Sequence, residues 1–176
     1  MHSEIDIVIL AGGLGTRMKS RLPKVLHRAG GLPLVEHVIN TALEITPMDR
    51  ITVVVGSQAE RVKAALAHRP VHLVYQANQL GTGHAVKVCR DSLGARTGYT
   101  VVVYGDGPML SPATIRRLID KQTGNDTAAT LITSTLENPR GYGRVLLDND
   151  QMVVDIVEEK AATEEQPSEP ETAAQE

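Results

Sequence analysis

Short runs of β-branched and aliphatic residues recur along the chain, and each is followed by a segment with helical spacing. The runs cover 5–10, 51–55, 71–75 and 100–104. Continuous apolar runs such as ITVVV and TVVVY are typical of parallel strands whose two faces are both covered by helices. The sequence therefore predicts an α/β fold with a Rossmann-like, doubly wound, mostly parallel sheet.

Three of the helices have recognisable start signals. Pro33 precedes the helical pattern at 34–43, Ser57 is placed as the N-cap of a helix containing Val62, and Ser111-Pro112 opens a helix over 113–121. Serine is favoured at the N-cap because its side chain accepts a hydrogen bond from a free backbone N–H, and proline is favoured at the first helical position. These signals place helices between the predicted strands.

The pattern changes after residue 126. Segments 127–136 and 144–157 are rich in Val, Leu, Ile and Thr, and Asp148-Asn149-Asp150 is a predicted hairpin turn. An antiparallel extension of the fold is expected there. We assign residues 1–166 to one domain and predict that 167–176, composed mainly of Glu, Ala, Pro and Thr, is a disordered acidic tail.

Composition excludes several classes of function. The chain has four Tyr and neither Phe nor Trp, so few aromatic side chains are available on which the bases of a nucleic acid could stack. The single cysteine, Cys89, excludes an intramolecular disulfide and a zinc site of the usual spacing. Neither a signal peptide nor an apolar run of membrane-spanning length is present. We expect a cytoplasmic protein that binds neither nucleic acid nor membrane.

The stretch LAGGLGTRMKSRLPK, residues 10–24, follows the first predicted strand. Gly12, Gly13 and Gly15 allow backbone N–H groups to approach a ligand closely, and the cations Arg17 and Lys24 can neutralise its charge. The segment thus favours a phosphate-binding loop at the carboxyl edge of the sheet. A tight strand-to-helix turn without a ligand is the alternative.

Two familiar nucleotide motifs do not match this stretch. It does not contain G-x-G-x-x-G or G-x-x-x-x-G-K-[ST], and the second strand ends in Val54-Val55-Gly56, without an acidic residue for a ribose diol. A dinucleotide oxidoreductase and a P-loop hydrolase are both disfavoured.

The segment YGDGPML places Asp106 directly after the fourth predicted strand. Its carboxylate is expected at the same sheet edge as the glycine-rich loop. A hard oxygen ligand beside a phosphate site is where Mg²⁺ binds, keeping several waters and bridging to substrate phosphates. The alternative is an aspartate that caps the following turn, but its position next to the cationic loop favours the metal.

The segment YQANQLGTGHA, residues 75–85, follows the third predicted strand. Gln76 and Thr82 carry polar groups that can hydrogen-bond the edge of a nucleobase, and Gly81 allows close approach of the backbone. Gly81-Thr82-Gly83 also suits the N-cap of a helix over 84–93. The two interpretations are compatible.

Together these motifs carry a family resemblance. LAGGLGTRMKSRLPKVLH, QANQLGTGHA, YGDGPML, GYGR and VEEK occur in this order between about Ile5 and Gln166. The set resembles the N-terminal uridyltransferase domain of the bacterial bifunctional GlmU family, within the sugar nucleotidyltransferase superfamily. The first motif alone is shared with molybdenum-cofactor guanylyltransferases, whereas Q-L-G-T-G-H-A combined with Y-G-D and G-Y-G-R is much more specific.

The resemblance implies roles for individual positions. The backbone of the first loop would contact the nucleotide at Leu10, Ala11, Gly12 and Gly13, and Lys24 would also bind it. The catalytic residues would be Arg17 and Lys24, which act on its phosphates. Uracil would be read by Gln76, Gly81 and Thr82. The sugar nucleotide would be approached by Tyr104, Gly105 and Asp106, with Asp106 as the Mg²⁺ ligand, and N-acetylglucosamine would contact Gly143 and Glu158. Glu158 is otherwise explained as an ordinary charged strand end.

The resemblance also implies an activity. The partners would be UTP and N-acetylglucosamine 1-phosphate, and the products UDP-N-acetylglucosamine and pyrophosphate, a Mg²⁺-dependent step in the biosynthesis of peptidoglycan and the cell wall. Two other functions remain open: a non-catalytic nucleotide-binding module, and a related nucleotidyltransferase acting on another sugar phosphate or on molybdenum cofactor.

The sequence departs from the family pattern after Gln166. The family continues with a Glu-Ile-Asn-Thr-Gly segment, an asparagine that completes the magnesium site, and an acetyltransferase domain that builds a trimer. Because a phosphoryl transfer depends on positioning, we expect weak or absent turnover from a chain without these groups. The oligomeric state is not predicted.

Overall fold

The computed structural model of the chain describes residues 4–13, 15, 18–94, 96–125, 127–157 and 172–174. The chain divides into two compact units, residues 1–123 and 124–176. In the first unit the strands are β1 (Ile5–Ala11), β2 (Arg28–Ala29), β3 (Leu32–Pro33), β4 (Ile51–Val55), β5 (His72–Tyr75) and β6 (Tyr99–Tyr104), and the helices are α1 (Leu34–Leu43), α2 (Ala59–Ala65), α3 (Thr82–Lys87), α4 (Arg90–Leu93) and α5 (Pro112–Thr123).

Four of these strands form a parallel sheet in the order β5-β4-β1-β6. β1 lies between β4 and β6, with Ile9 opposite Val53 on one side and Val103 on the other. β2 and β3 form a separate antiparallel hairpin. The four strands predicted from the apolar runs are confirmed, with bounds that differ by at most one residue from those expected.

Helices cover the sheet on both faces. Successive side chains of β1 point to opposite faces, and on each face they pack against helix residues. Ile7 and Ile9 pack into the larger core cluster, whereas Val8, fully buried, packs into a smaller one. The larger cluster contains residues of α1, α2 and α5, and the smaller contains Ala85 of α3. The predicted doubly wound sheet is therefore confirmed.

The helix starts agree with the sequence signals in part. α1 begins directly after Pro33. α5 begins at Pro112, and the hydroxyl of Ser111 accepts a hydrogen bond from the N–H of Thr114 at 3.2 Å. The N-cap of α2 is Gln58 rather than Ser57. The helix predicted over 84–93 is two helices, α3 and α4, separated by Val88 and Cys89.

The second unit is built of antiparallel strands: β7 (Ser134–Thr135), β8 (Gly143–Leu147), β9 (Val153–Val157) and β10 (Thr172–Ala174), in the order β7-β10-β8-β9. β8 and β9 form a hairpin, and the N–H of Asp148 donates to the carbonyl of Met152 at 2.9 Å. The predicted antiparallel extension and its turn are confirmed, although 127–136 contributes only the two-residue β7.

The predicted acidic tail, 167–176, is described only at Thr172–Ala174, which form β10. The rest of it lies outside the described residues, so the tail and the domain boundary at 166 stay predictions. Within the part of the chain that the structure covers, no helix combines the length and apolar character needed to cross a lipid bilayer.

Candidate active site

The strand order creates a crevice at the carboxyl ends of β1 and β6. β4 and β5 lie on one side of β1, and the chain crosses to the other side to form β6. In open α/β sheets such a reversal of strand order is the usual ligand-binding position. The N–H of Gly105 donates to the carbonyl of Leu10 at 2.8 Å, so the segments that follow the two strands start side by side.

The glycine-rich segment leaves β1 at this edge. Ala11 is buried, Gly12 is half-buried and Gly13 is exposed. A Cβ on Gly13 would meet no atom within 4 Å among the described residues, so the space beside its backbone is open. Arg17 lies outside the described residues, and its assigned role stays a prediction.

Lys24 and Asp106 form an ion pair across the crevice. Lys24 begins a 3₁₀ helix, Lys24–Leu26, whose other two residues are buried in the core and fix its start. The Lys24 side chain is 46% exposed and that of Asp106 23%. The two residues that the sequence placed at this sheet edge are thus in direct contact.

Gly15 makes room for this arrangement. Its φ is +59°, and a Cβ there would lie 3.0 Å from the Cβ of Lys24. A residue with a side chain would meet both backbone strain and a close contact at this position. Gly15 therefore leaves the space that the Lys24 side chain occupies.

Gln76 is the buried polar residue on the other side of the first loop, with 5% of its surface exposed. Its N–H donates to the carbonyl of Val55 at 2.8 Å and so extends the pairing of β4 with β5. Its side-chain Nε2 donates to the carbonyl of Gly81 at 3.2 Å and lies 3.1 Å from Nδ1 of His84. Gln76 is therefore fixed against the predicted base-reading segment.

Sequence reasoning missed two residues that contact Gln76 or the glycine-rich loop, namely His84 and Gln79. The Nε2 of Gln79 donates to the carbonyl of Gly12 at 2.7 Å. Gly56 permits this, because a Cβ there would overlap the carbonyl oxygen of Gly12 and the amide of Gln79. Both residues lie in the QANQLGTGHA motif, so the segment was identified from the sequence. Their individual contacts were not, because polar contacts between loops produce no periodic pattern in the sequence.

The other predicted residues are placed as follows. Gly81, with a φ of +96°, is the N-cap of α3, and Thr82 is its exposed first residue. Tyr104 is the half-buried last residue of β6. Gly143 is buried at the start of β8 in the second unit. Glu158 lies outside the described residues, so its sugar contact stays a prediction.

Asp106 supplies a carboxylate for a metal ion at the crevice. Among the residues that the structure describes, no group of three or more His, Cys, Asp or Glu side chains converges. Mg²⁺ is commonly held by one or two carboxylates together with substrate phosphates and waters, so Asp106 at the crevice fits this ion better than a metal that requires an all-protein ligand set.

A cavity of about 760 Å³ opens beside α2 and the end of β5, lined in part by Val55, Gly56, Arg61 and Tyr75. None of the predicted site residues lines it. Arg61 nevertheless connects α2 to the first loop, because its Nη1 donates to the carbonyl of Arg21. We therefore place the candidate active site at the crevice between β1 and β6 rather than in this cavity.

Two curated relatives match most of this chain. The bifunctional protein GlmU of Solibacter usitatus (strain Ellin6076) is 48% identical over 166 residues, which are 94% of this chain and 36% of the relative. The bifunctional protein GlmU of Clostridium perfringens (strain ATCC 13124) is 45% identical over 159 residues, 90% of this chain and 35% of the relative. The chain thus spans little more than a third of the length of these curated relatives.

A solved structure shares the fold at lower identity. HddC from Yersinia pseudotuberculosis, complexed with GMP-PN, superposes with a TM-score of 0.67 and 23% identity, over 96% of this chain and 72% of that one. The family model described as MobA-like NTP transferase domain matches residues 7–153, which include β1 from Ile7 onward, the whole of β6 and the described loops around the crevice. The chain belongs to the MobA-like NTP transferase domain family.

Proposed function

We propose that this chain transfers a uridylyl group from UTP to N-acetylglucosamine 1-phosphate, giving UDP-N-acetylglucosamine and pyrophosphate. The observation that carries the proposal is the contact between Lys24 and Asp106 at the crevice between β1 and β6, with Gly15 of the glycine-rich loop against Lys24. It supplies a cation for phosphates and a carboxylate for Mg²⁺ at the position where open α/β sheets bind ligands. The motif resemblance and the GlmU relatives support the choice of substrates.

The chain's own groups account for binding and charge neutralisation. The exposed backbone at Gly13 would meet phosphate oxygens, and the ammonium of Lys24, beside Asp106, would neutralise phosphate charge. Asp106 would hold Mg²⁺, which when bound supplies positive charge to the phosphate oxygens. Arg17 is assigned to the phosphates by the resemblance alone.

The reaction itself needs no protein nucleophile. A phosphate oxygen of the sugar 1-phosphate attacks the α-phosphorus of UTP in line, and the bond from that phosphorus to the β-phosphate oxygen breaks as pyrophosphate leaves. Negative charge moves toward the leaving pyrophosphate, where Lys24 stabilises it. The protein contributes positioning and electrostatics.

The experiment is a pyrophosphate-release assay on the 176-residue chain with UTP, N-acetylglucosamine 1-phosphate and MgCl₂. We expect release by the wild type and a loss of about 100-fold or more in Lys24→Met, because a preorganised cation is removed. Lys121→Met, on the exposed surface of α5, is the matched control and should retain activity.

A substrate panel then separates the remaining functions. Release with GTP, or with a different sugar phosphate, in preference to the proposed pair would identify a related nucleotidyltransferase. UTP binding without release under any of these conditions would identify a nucleotide-binding module. The expected cytoplasmic location remains part of the proposal.

A further inference from the structure

The orientation of the Gln76 side-chain amide is determined by its surroundings. The carbonyl oxygen of Gly81, 3.2 Å from Nε2, can only accept a hydrogen bond, so the amide must turn its NH₂ group toward it. The second N–H of the same group points to Nδ1 of His84 at 3.1 Å. That nitrogen accepts when the imidazole proton is on Nε2. Both Gln76 donors are then occupied within the protein.

The remaining polar atom of this side chain, Oε1, lies toward the glycine-rich loop. A Cβ on Gly12 would be 3.3 Å from it. No donor from the described residues reaches Oε1, and this atom is not among their fully buried unpaired side-chain atoms. Although only 5% of the Gln76 surface is exposed, Oε1 therefore keeps access to the outside and can accept a hydrogen bond from a ligand.

We propose that His84 is a positioning residue that holds Gln76 with Oε1 toward the ligand, so that the site selects a nucleobase with an imide N–H. This inference rests on the proposed function. Uracil presents N3–H between two carbonyl groups and can donate to Oε1. Cytosine presents an unprotonated N3 at the same position, where two acceptors would face each other.

In this proposal His84 accepts a hydrogen bond at Nδ1. The variants therefore either remove or replace that acceptor. His84→Ala removes the acceptor and frees the amide to rotate. His84→Asn replaces it, because the asparagine Oδ1 stands at the same number of bonds from the backbone as Nδ1. Lys87→Ala changes an exposed residue at the end of the same helix and is the matched control.

The test is calorimetric titration of UTP and CTP, each with MgCl₂, into the wild type and the three variants. We expect a clear preference for UTP in the wild type. In His84→Ala the ratio of the two affinities should fall about tenfold, equivalent to about 1.4 kcal/mol. His84→Asn and Lys87→Ala should keep the ratio within about twofold. Urea unfolding of each variant verifies that it is folded.

Three results would overturn the inference while leaving the proposed function intact. These are an unchanged ratio in His84→Ala, an equal fall in His84→Ala and His84→Asn, and UTP binding to the wild type without preference over CTP. Absence of binding by either nucleotide to the wild type would overturn the proposed function and this inference together.

Discussion

The ammonium of Lys24 pairs with the carboxylate of Asp106, although the first follows β1 and the second follows β6. The pair balances charge at the crevice in the absence of substrate. A nucleotide phosphate competes for the ammonium, and a divalent cation competes for the carboxylate. The same contact therefore holds together the two groups on which the proposed reaction depends.

Asp106→Asn should separate activity from stability. We expect pyrophosphate release to fall by about 100-fold or more, because the amide is a poor Mg²⁺ ligand and carries no charge. The free energy of unfolding should change by less than about 1 kcal/mol, since Lys24 is 46% exposed and solvent screens the pair. Urea unfolding and the release assay measure the two effects, with Asp120→Asn as control. A large loss of stability would show that the pair is structural.

Gly15→Ala and Gly83→Ala should have opposite effects on stability. At Gly15 the φ of +59° and the contact with Lys24 predict a loss of about 1–2 kcal/mol in the free energy of unfolding. Gly83 lies in α3 with nothing within 4 Å of an added Cβ, and alanine should gain about 0.5–1 kcal/mol there. Urea denaturation of both variants provides the comparison, and effects of equal sign would contradict it.

Asp6→Asn should be strongly destabilising. Its carboxylate, 5% exposed, lies 2.6 Å from Nη1 of Arg96 and 3.3 Å from Nη1 of Arg50. Arg50 also pairs with Glu4, and that hydrogen bond raises the pKa of Arg50. Loss of the buried partner should cost about 3 kcal/mol. Asp120→Asn, exposed on α5, should stay within about 0.5 kcal/mol. Thermal and urea unfolding measure both, and equal effects would refute the assignment.

Cys89 should resist thiol reagents in the folded chain. The side chain is fully buried, its Sγ lies 3.4 Å from the carbonyl of Ala85, and burial raises the pKa of the thiol. A raised pKa means less of the reactive thiolate at any given pH. We expect no reaction with a disulfide reagent at about pH 7.5 in buffer and one equivalent in urea, since the chain has a single cysteine. Rapid reaction of the native protein would contradict the conclusion that the Cys89 thiol is buried.

The central sheet was predictable because its strands are buried on both faces and therefore read as continuous apolar runs. ITVVV is β4, with all five residues buried. The segment 127–136 has similar residue types but forms only the short β7, because β-propensity depends on packing partners that the sequence does not specify. The division between α3 and α4 was missed for a similar reason: Val86 and Val88 fit a single helical pattern.

The site was predictable to the level of segments. Parallel strands bring their carboxyl ends to one edge, and this rule alone assigns Lys24 and Asp106 to the same crevice. The contact of His84 with Gln76 was not predictable, because it depends on side-chain rotamers within a loop. His84 also belongs to the start of α3, as the sequence indicates.

The strand order has a consequence for how the chain reaches its folded state. β1 is synthesised first, yet one of its edges stays open until β6 has emerged, because β6 is the strand that pairs there. Closing so long a stretch of chain costs entropy, and contacts between distant residues form late. The ion pair of Lys24 with Asp106 is thus available only after β6 has docked, and a growing chain from which β6 has not yet emerged cannot offer the assembled pair to a nucleotide.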